Sequence, residues 1–229
     1  DDRRVRVAWY ERYNGAFQET HDGTADPGFD AALDPDTAPA YVEEATYVTG
    51  VTGPVLTVGN ALPGDAGTLV IGLEVVDDGD FIPEPLDIWL QARVTADDEN
   101  DINGPERAAG DTTATDGELD DQVVVELRRD GAPLGSCNGQ QDFVESLEDP
   151  IVARSPLSVA FGSTSDVGDD DGQRILRSVD PGRSRCIALS WAFPEDTATN
   201  AAQGDSVTFD LAFAGVPAGT TSPFTGGSA

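Results

Sequence analysis

Oxygen donors crowd one short stretch of this sequence, Asp97-Asp98-Glu99-Asn100-Asp101-Ile102-Asn103-Gly104. Within it Asp97, Asp98, Asn100, Asp101 and Asn103 supply carboxylate and amide oxygens at close spacing ahead of a glycine, which is how a loop wraps a calcium ion. The twelve-residue EF-hand pattern, with its closing glutamate, is missing. On so acidic a chain a run of Asp is more often a solvated face. No cofactor is therefore required by the sequence, and calcium is the candidate. Residues 77–80 and 166–172 hold sparser clusters of the same kind.

Catalytic chemistry has little to stand on. His21 is the sole histidine and sits in the polar run Thr20-His21-Asp22-Gly23-Thr24, so H-E-x-x-H zinc chemistry and multi-histidine metal sites are excluded. No G-x-S-x-G nucleophile elbow occurs. Carboxylate pairs of the glycosidase kind could be drawn anywhere among 43 acids, and that abundance empties the signal. No catalytic residue is expected, and the chain does not read as an enzyme. Cys137 and Cys186 form an even pair without C-x-x-C spacing. An exported protein would join them, and two buried free thiols are the alternative.

The N-terminus carries a different kind of chemistry. Val5, Val7 and Trp9 fall on one face of an extended segment, with Arg4, Arg6 and Ala8 on the other. Four of the thirteen arginines lie in the first twelve residues. A basic strand with one apolar side, on an otherwise acidic chain, suits pairing with the sheet of another copy. It equally suits the first strand of its own sheet.

The elements that would position these residues are strands. Apolar alternation recurs at Leu69-Ile71-Leu73-Val75, Leu86-Ile88-Leu90-Ala92-Val94, Val123-Val125-Leu127, Leu157-Val159-Phe161, Ile187-Leu189-Trp191-Phe193 and Val207-Phe209-Leu211-Phe213. Turn residues such as Leu62-Pro63-Gly64-Asp65 and Asp130-Gly131 separate the runs. No helix of convincing length is expected, Gln140 to Leu147 being the best candidate. The pattern predicts an all-β, antiparallel two-sheet sandwich of the jelly-roll or Greek-key kind. Pro217 to Ala229 reads as a Gly/Ser/Thr/Pro tail.

All thirteen basic residues are arginine, and against 43 acids they leave a formal charge of −30. That charge repels phosphate backbones and excludes nucleic-acid binding. With no lysine at all, it suits a halophile's protein, soluble where molar salt shortens screening to about 3 Å. No apolar run approaches the roughly 18 residues of a membrane helix. Methionine is absent even from position 1, so the first residue is expected to be the end left by a cleaved signal peptide.

Three stretches together resemble the TasA/camelysin family of secreted fibre and bundling-pilus subunits. Trp191-Ala192-Phe193-Pro194 followed by Asn200-Ala201-Ala202-Gln203-Gly204-Asp205-Ser206-Val207-Thr208-Phe209-Asp210 is similar to its C-terminal signature. Leu62-Pro63-Gly64-Asp65-Ala66-Gly67 resembles its L-x-P-G-D-x-G turn. Residues 97–119, with Glu99-Asn100, Pro105-Glu106, Gly110-Asp111 and Gly117-Glu118-Leu119, resemble its Asn/Glu-rich loop. The resemblance implies an exported, extracellular jelly-roll subunit that polymerises with copies of itself by donor-strand complementation, with Val5, Val7, Trp9, Arg4 and Arg6 on the donated strand. Lateral bundling of filaments goes with it. It divides the chain into a donor strand and linker (1–15), a sandwich domain (16–216) and the tail (217–229). The alternative is a monomeric, calcium-stabilised adhesin or carbohydrate-binding module, for which Trp89 and Tyr47 are the candidate solvent-facing aromatics.

Overall fold

The computed structural model describes residues 5–20, 48–49, 55–59, 61–76, 84–130, 137, 139 and 149–224. Its strands are β1 (Val5–Tyr13), β2 (Ala16–Thr20), β3 (Val48–Thr49), β4 (Val55–Gly59), β5 (Ala66–Val75) and β6 (Leu86–Asp98). After them come β7 (Val124–Asp130), β8 (Val152–Pro156), β9 (Gln173–Val179), β10 (Ser184–Ala192) and β11 (Ser206–Pro217). All pairings are antiparallel. Seven strands form one sheet, in the order β2-β1-β5-β10-β7-β8 with β3 also on β1, and β4-β11-β6-β9 form the other. The fold is an all-β sandwich, as the alternation predicts.

Period-2 alternation turns one face of each sheet inward. Val7, Ile71, Leu73, Leu127, Ile187 and Leu189 of the larger sheet join Ile88, Leu90, Val207, Phe209 and Leu211 of the smaller in one continuous core. Helices are short: α1 (Gly104–Ala109), α2 (Leu119–Gln122) and α3 (Leu157–Ala160). The strand expected at Leu157-Val159-Phe161 is α3 instead. A helical turn buries Leu157, Ala160 and Phe161 together and turns Val159 outward, 60 % exposed, where a strand would have buried it.

The larger sheet is also covered on its outer face, so β1 is not one-sided. Ala8 and Tyr10 are buried there beside Val70 and Ala188. Cys137 and Cys186 are joined, with Cα atoms 5.7 Å apart, and this holds Cys137 against the strands. The Tyr10 hydroxyl donates to the Cys137 carbonyl at 3.1 Å, and Arg128 donates to that of Gly139 at 2.6 Å. Gly139 lies so flat that a Cβ there would come within 2.7 Å of Val70 Cγ2.

Asn14 and Gly15, at φ 47° and 80°, form the two-residue turn between β1 and β2, the conformation a tight hairpin demands. Just past Pro217 the chain returns to the start of β6. Ala218 N–H donates to the Pro85 carbonyl at 3.0 Å and Gly219 N–H to Asp87 Oδ2 at 3.0 Å. Arg4, His21, Tyr47, residues 77–80 and the 140–147 segment lie outside the described residues.

Candidate functional site

One end of the smaller sheet gathers carboxylates from well-separated places in the chain. Glu99 follows directly on β6. The next is Glu106, fixed by a capping box: its backbone N–H donates to Asn103 Oδ1 at 3.1 Å, and its Oε2 accepts from the Asn103 N–H. Pro105 in the first turn and Gly110 in the left-handed C-cap bound α1 and deliver Asp111. Asp111 Oδ1 accepts from Thr113 N–H at 2.8 Å. Glu118 stands at the start of α2, and its N–H donates to Asp205 Oδ2 at 2.8 Å, just ahead of β11.

These bonds use one oxygen of Glu106, Asp111 and Asp205 and leave the other facing inward. Glu106 Oε1, Asp111 Oδ2, Glu118 Oε2, Asp205 Oδ1 and both oxygens of Glu99 are buried without a hydrogen-bond partner. Ligand oxygens of Glu99, Glu106 and Asp205 lie within 4.8 Å of one another, as do those of Glu99, Asp111 and Glu118. Glu106 and Asp205 are fully buried, and Glu99 is 3 % exposed. Among the described residues no arginine pairs with any of the five.

Such crowding resists ionisation. Burial, then the charges of Asp205, Asp111, Glu106 and Glu118, push Glu99 up to about 7. Burial raises Glu118 and Asp205 as well, with neighbouring carboxylates adding to it. Asp97, beside this group, is pushed up to about 7 by burial and then by Asp120, Asp116, Asp205 and Asp121. Buried carboxylates with idle oxygens are costly unless a proton or a cation neutralises them.

The five residues singled out by spacing are not brought together as a ligand set. Asp98 and Asp101 are exposed. Asn100 donates to the Gly204 carbonyl at 3.2 Å and to Ser206 Oγ at 2.9 Å, and Asn103 donates to the Gln203 carbonyl while capping α1. Both asparagines therefore tie the loop to the turn before β11. Asp97 borders the cluster, and Asn103 touches it through its bonds to Glu106. Sequence spacing missed Glu99, Glu106, Asp111, Glu118 and Asp205, though the Asn103-Gly104-Pro105-Glu106 pattern signals a helix start that places Glu106 at its third position.

The second candidate site is the seat of β1. It pairs with β5 through nine successive positions, from Val5↔Val75 to Tyr13↔Gly67. Val5 and Val7 are buried in the core and Trp9 packs partly against it. Arg6 pairs with Glu74 of β5 at 2.6 Å. Gly215 of β11 makes room for Val5: a Cβ there would meet Val5 Cγ2 at 2.4 Å. Asp65 closes the far end, accepting from the Tyr13 hydroxyl and, at 2.8 Å, from Asn14 Nδ2.

No protein-family model matches the chain, and no curated protein matches it.

Proposed function

We propose that this chain is an exported structural subunit of the TasA/camelysin kind. It is a jelly-roll sandwich that builds an extracellular homopolymer in concentrated salt by lending β1 to its neighbour. The observation that supports this is the seat of β1, whose contacts all come from residues later in the chain. Glu74, Leu73, Gly215 and the Cys137 carbonyl would meet the same strand whether it came from their own N-terminus or from another copy. Exchange of β1 together with β2, which the Asn14-Gly15 turn ties to it, keeps every such contact and adds no new surface to be optimised. The Arg6–Glu74 pair gives the strand a charge match to an acidic body. An empty seat would bare the edge of β5 and part of the core, which favours capture of a second chain's strand.

Microscopy of concentrated protein in molar salt tests this. Wild type should form filaments, and Val7→Asp, which puts a charge on the buried face of β1, should not. Wild type that stays monomeric at high concentration in molar salt would overturn the reading.

The pairing of β1 within its own chain favours a second reading, a monomeric calcium-stabilised adhesin or carbohydrate-binding module. Its aromatic candidate Trp89 is half-buried, with the Arg174 guanidinium 5.9 Å over its ring.

A further inference from the structure

We infer that Glu99, Glu106, Asp111, Glu118 and Asp205 form a binding site for one calcium ion, which staples the 99–118 loop to the turn leading into β11. The inference is independent of strand exchange and stands or falls without it. Six unpartnered carboxylate oxygens converge there, and calcium takes about six to eight oxygens at about 2.3–2.6 Å. Oxygens on opposite sides of such an ion are about 5 Å apart, so each triad, Glu99–Glu106–Asp205 and Glu99–Asp111–Glu118, is compact enough to hold an ion, and the two meet at Glu99. Glu99 lies in both sets and keeps both oxygens idle, which gives the site its shared ligand.

The remaining geometry supports a site already shaped for an ion. Glu106, Asp111 and Asp205 each spend one oxygen on a backbone N–H, so their orientation is fixed before anything binds. Gly204 lies over the site, where a Cβ would stand 3.2 Å from Glu106 Oε1. An all-carboxylate, irregular oxygen set selects a hard cation of flexible coordination. Magnesium demands near-octahedral geometry and keeps its waters, so calcium is the better match.

The test is calorimetric titration of chelator-stripped full-length protein with calcium chloride in molar potassium chloride, alongside thermal melts. One equivalent of calcium should bind, with magnesium at least about tenfold weaker. Glu99→Gln and Asp205→Asn should each weaken calcium binding about tenfold or more, whereas the exposed pair Asp98→Asn and Asp101→Asn should not change it. A sign reversal separates ligation from a merely structural role. Without calcium, Glu99→Gln should melt higher than wild type, because it removes a repelled buried charge; with saturating calcium it should melt lower. A stripped protein that gives neither saturable heat nor a melting shift with millimolar calcium would overturn the inference. So would calcium binding that Glu99→Gln and Asp205→Asn leave unchanged.

Discussion

Replacing Gly215 with alanine should weaken the fold, and shortening Val5 to alanine in the same molecule should return much of the loss. The added Cβ would come 2.4 Å from Val5 Cγ2 and 3.1 Å from Leu86 Cδ1, an overlap that must push β1 and β11 apart. Overpacking of a closed core costs about 1–3 kcal/mol, less about 0.4–1 kcal/mol gained from the stiffer unfolded chain. Val5→Ala alone removes two buried methyl groups at about 0.8 kcal/mol each, and with its cavity loses about 2 kcal/mol. In the double variant the new methyl occupies part of the space left by the old ones. Its loss should fall about 1–2 kcal/mol short of the sum of the singles, a coupling expected only between residues in contact. Urea unfolding at fixed molar salt measures all four corners. Strict additivity would refute the packing of β1 against β11. Because the seat is built from later residues, the same pair also probes exchange: Gly215→Ala subunits should incorporate Val5→Ala donors in preference to wild-type ones.

Asp87 is buried, and burial alone would raise its carboxyl. The N–H groups of Gly219 and Ser178 and the Arg174 guanidinium outweigh that and hold it below the ordinary value. A lowered folded value contributes stability above the unfolded value of about 4, lost as pH falls through the folded one. Asp87→Asn should therefore cost about 3–5 kcal/mol near neutrality, and its gap to wild type should narrow in denaturant melts below about pH 4; a gap independent of pH would contradict this. Replacing Cys137 and Cys186 with serine should cost about 4 kcal/mol by loop-closure entropy across their separation of 49 residues. A loss under about 1 kcal/mol in urea melts would show that the bond is dispensable. Dialysis from molar to millimolar salt lengthens screening from about 3 Å past 10 Å around a charge of −30. Circular dichroism should record loss of structure, and an unchanged spectrum would remove the argument for a high-salt protein.

Strands were legible because each long apolar run alternates with period 2 and ends in turn residues. Ile187 to Phe193 and Val207 to Phe213 could be placed inward from sequence alone, and the structure puts them there. Three apolar residues at Leu157, Val159 and Phe161 were too few to separate period 2 from a helical turn. On the outer face Tyr10 meets Cys137, held there by its bond to Cys186 far along the chain, and local pattern carries no sign of that contact. The carboxylate cluster was half hidden for the same reason. Adjacent acids attract attention as a loop, yet Glu99 meets Asp205 across more than 100 positions. That meeting is set by the pairing of β6 with β11, in which Asp98 faces Ser206.

The central claim is that β1 of one copy occupies the seat of another, and a cross-link reads it directly. Arg6 and Glu74 are register partners whose side chains already meet at 2.6 Å, so Arg6→Cys with Glu74→Cys places two thiols within reach of a disulfide. The variant is assembled at high concentration in molar salt, oxidised, and run on a denaturing gel with and without reductant. Strand exchange predicts a ladder of covalent multimers that collapses to a single band on reduction. Complete oxidation that leaves only monomers, each closed on itself between positions 6 and 74, would contradict it.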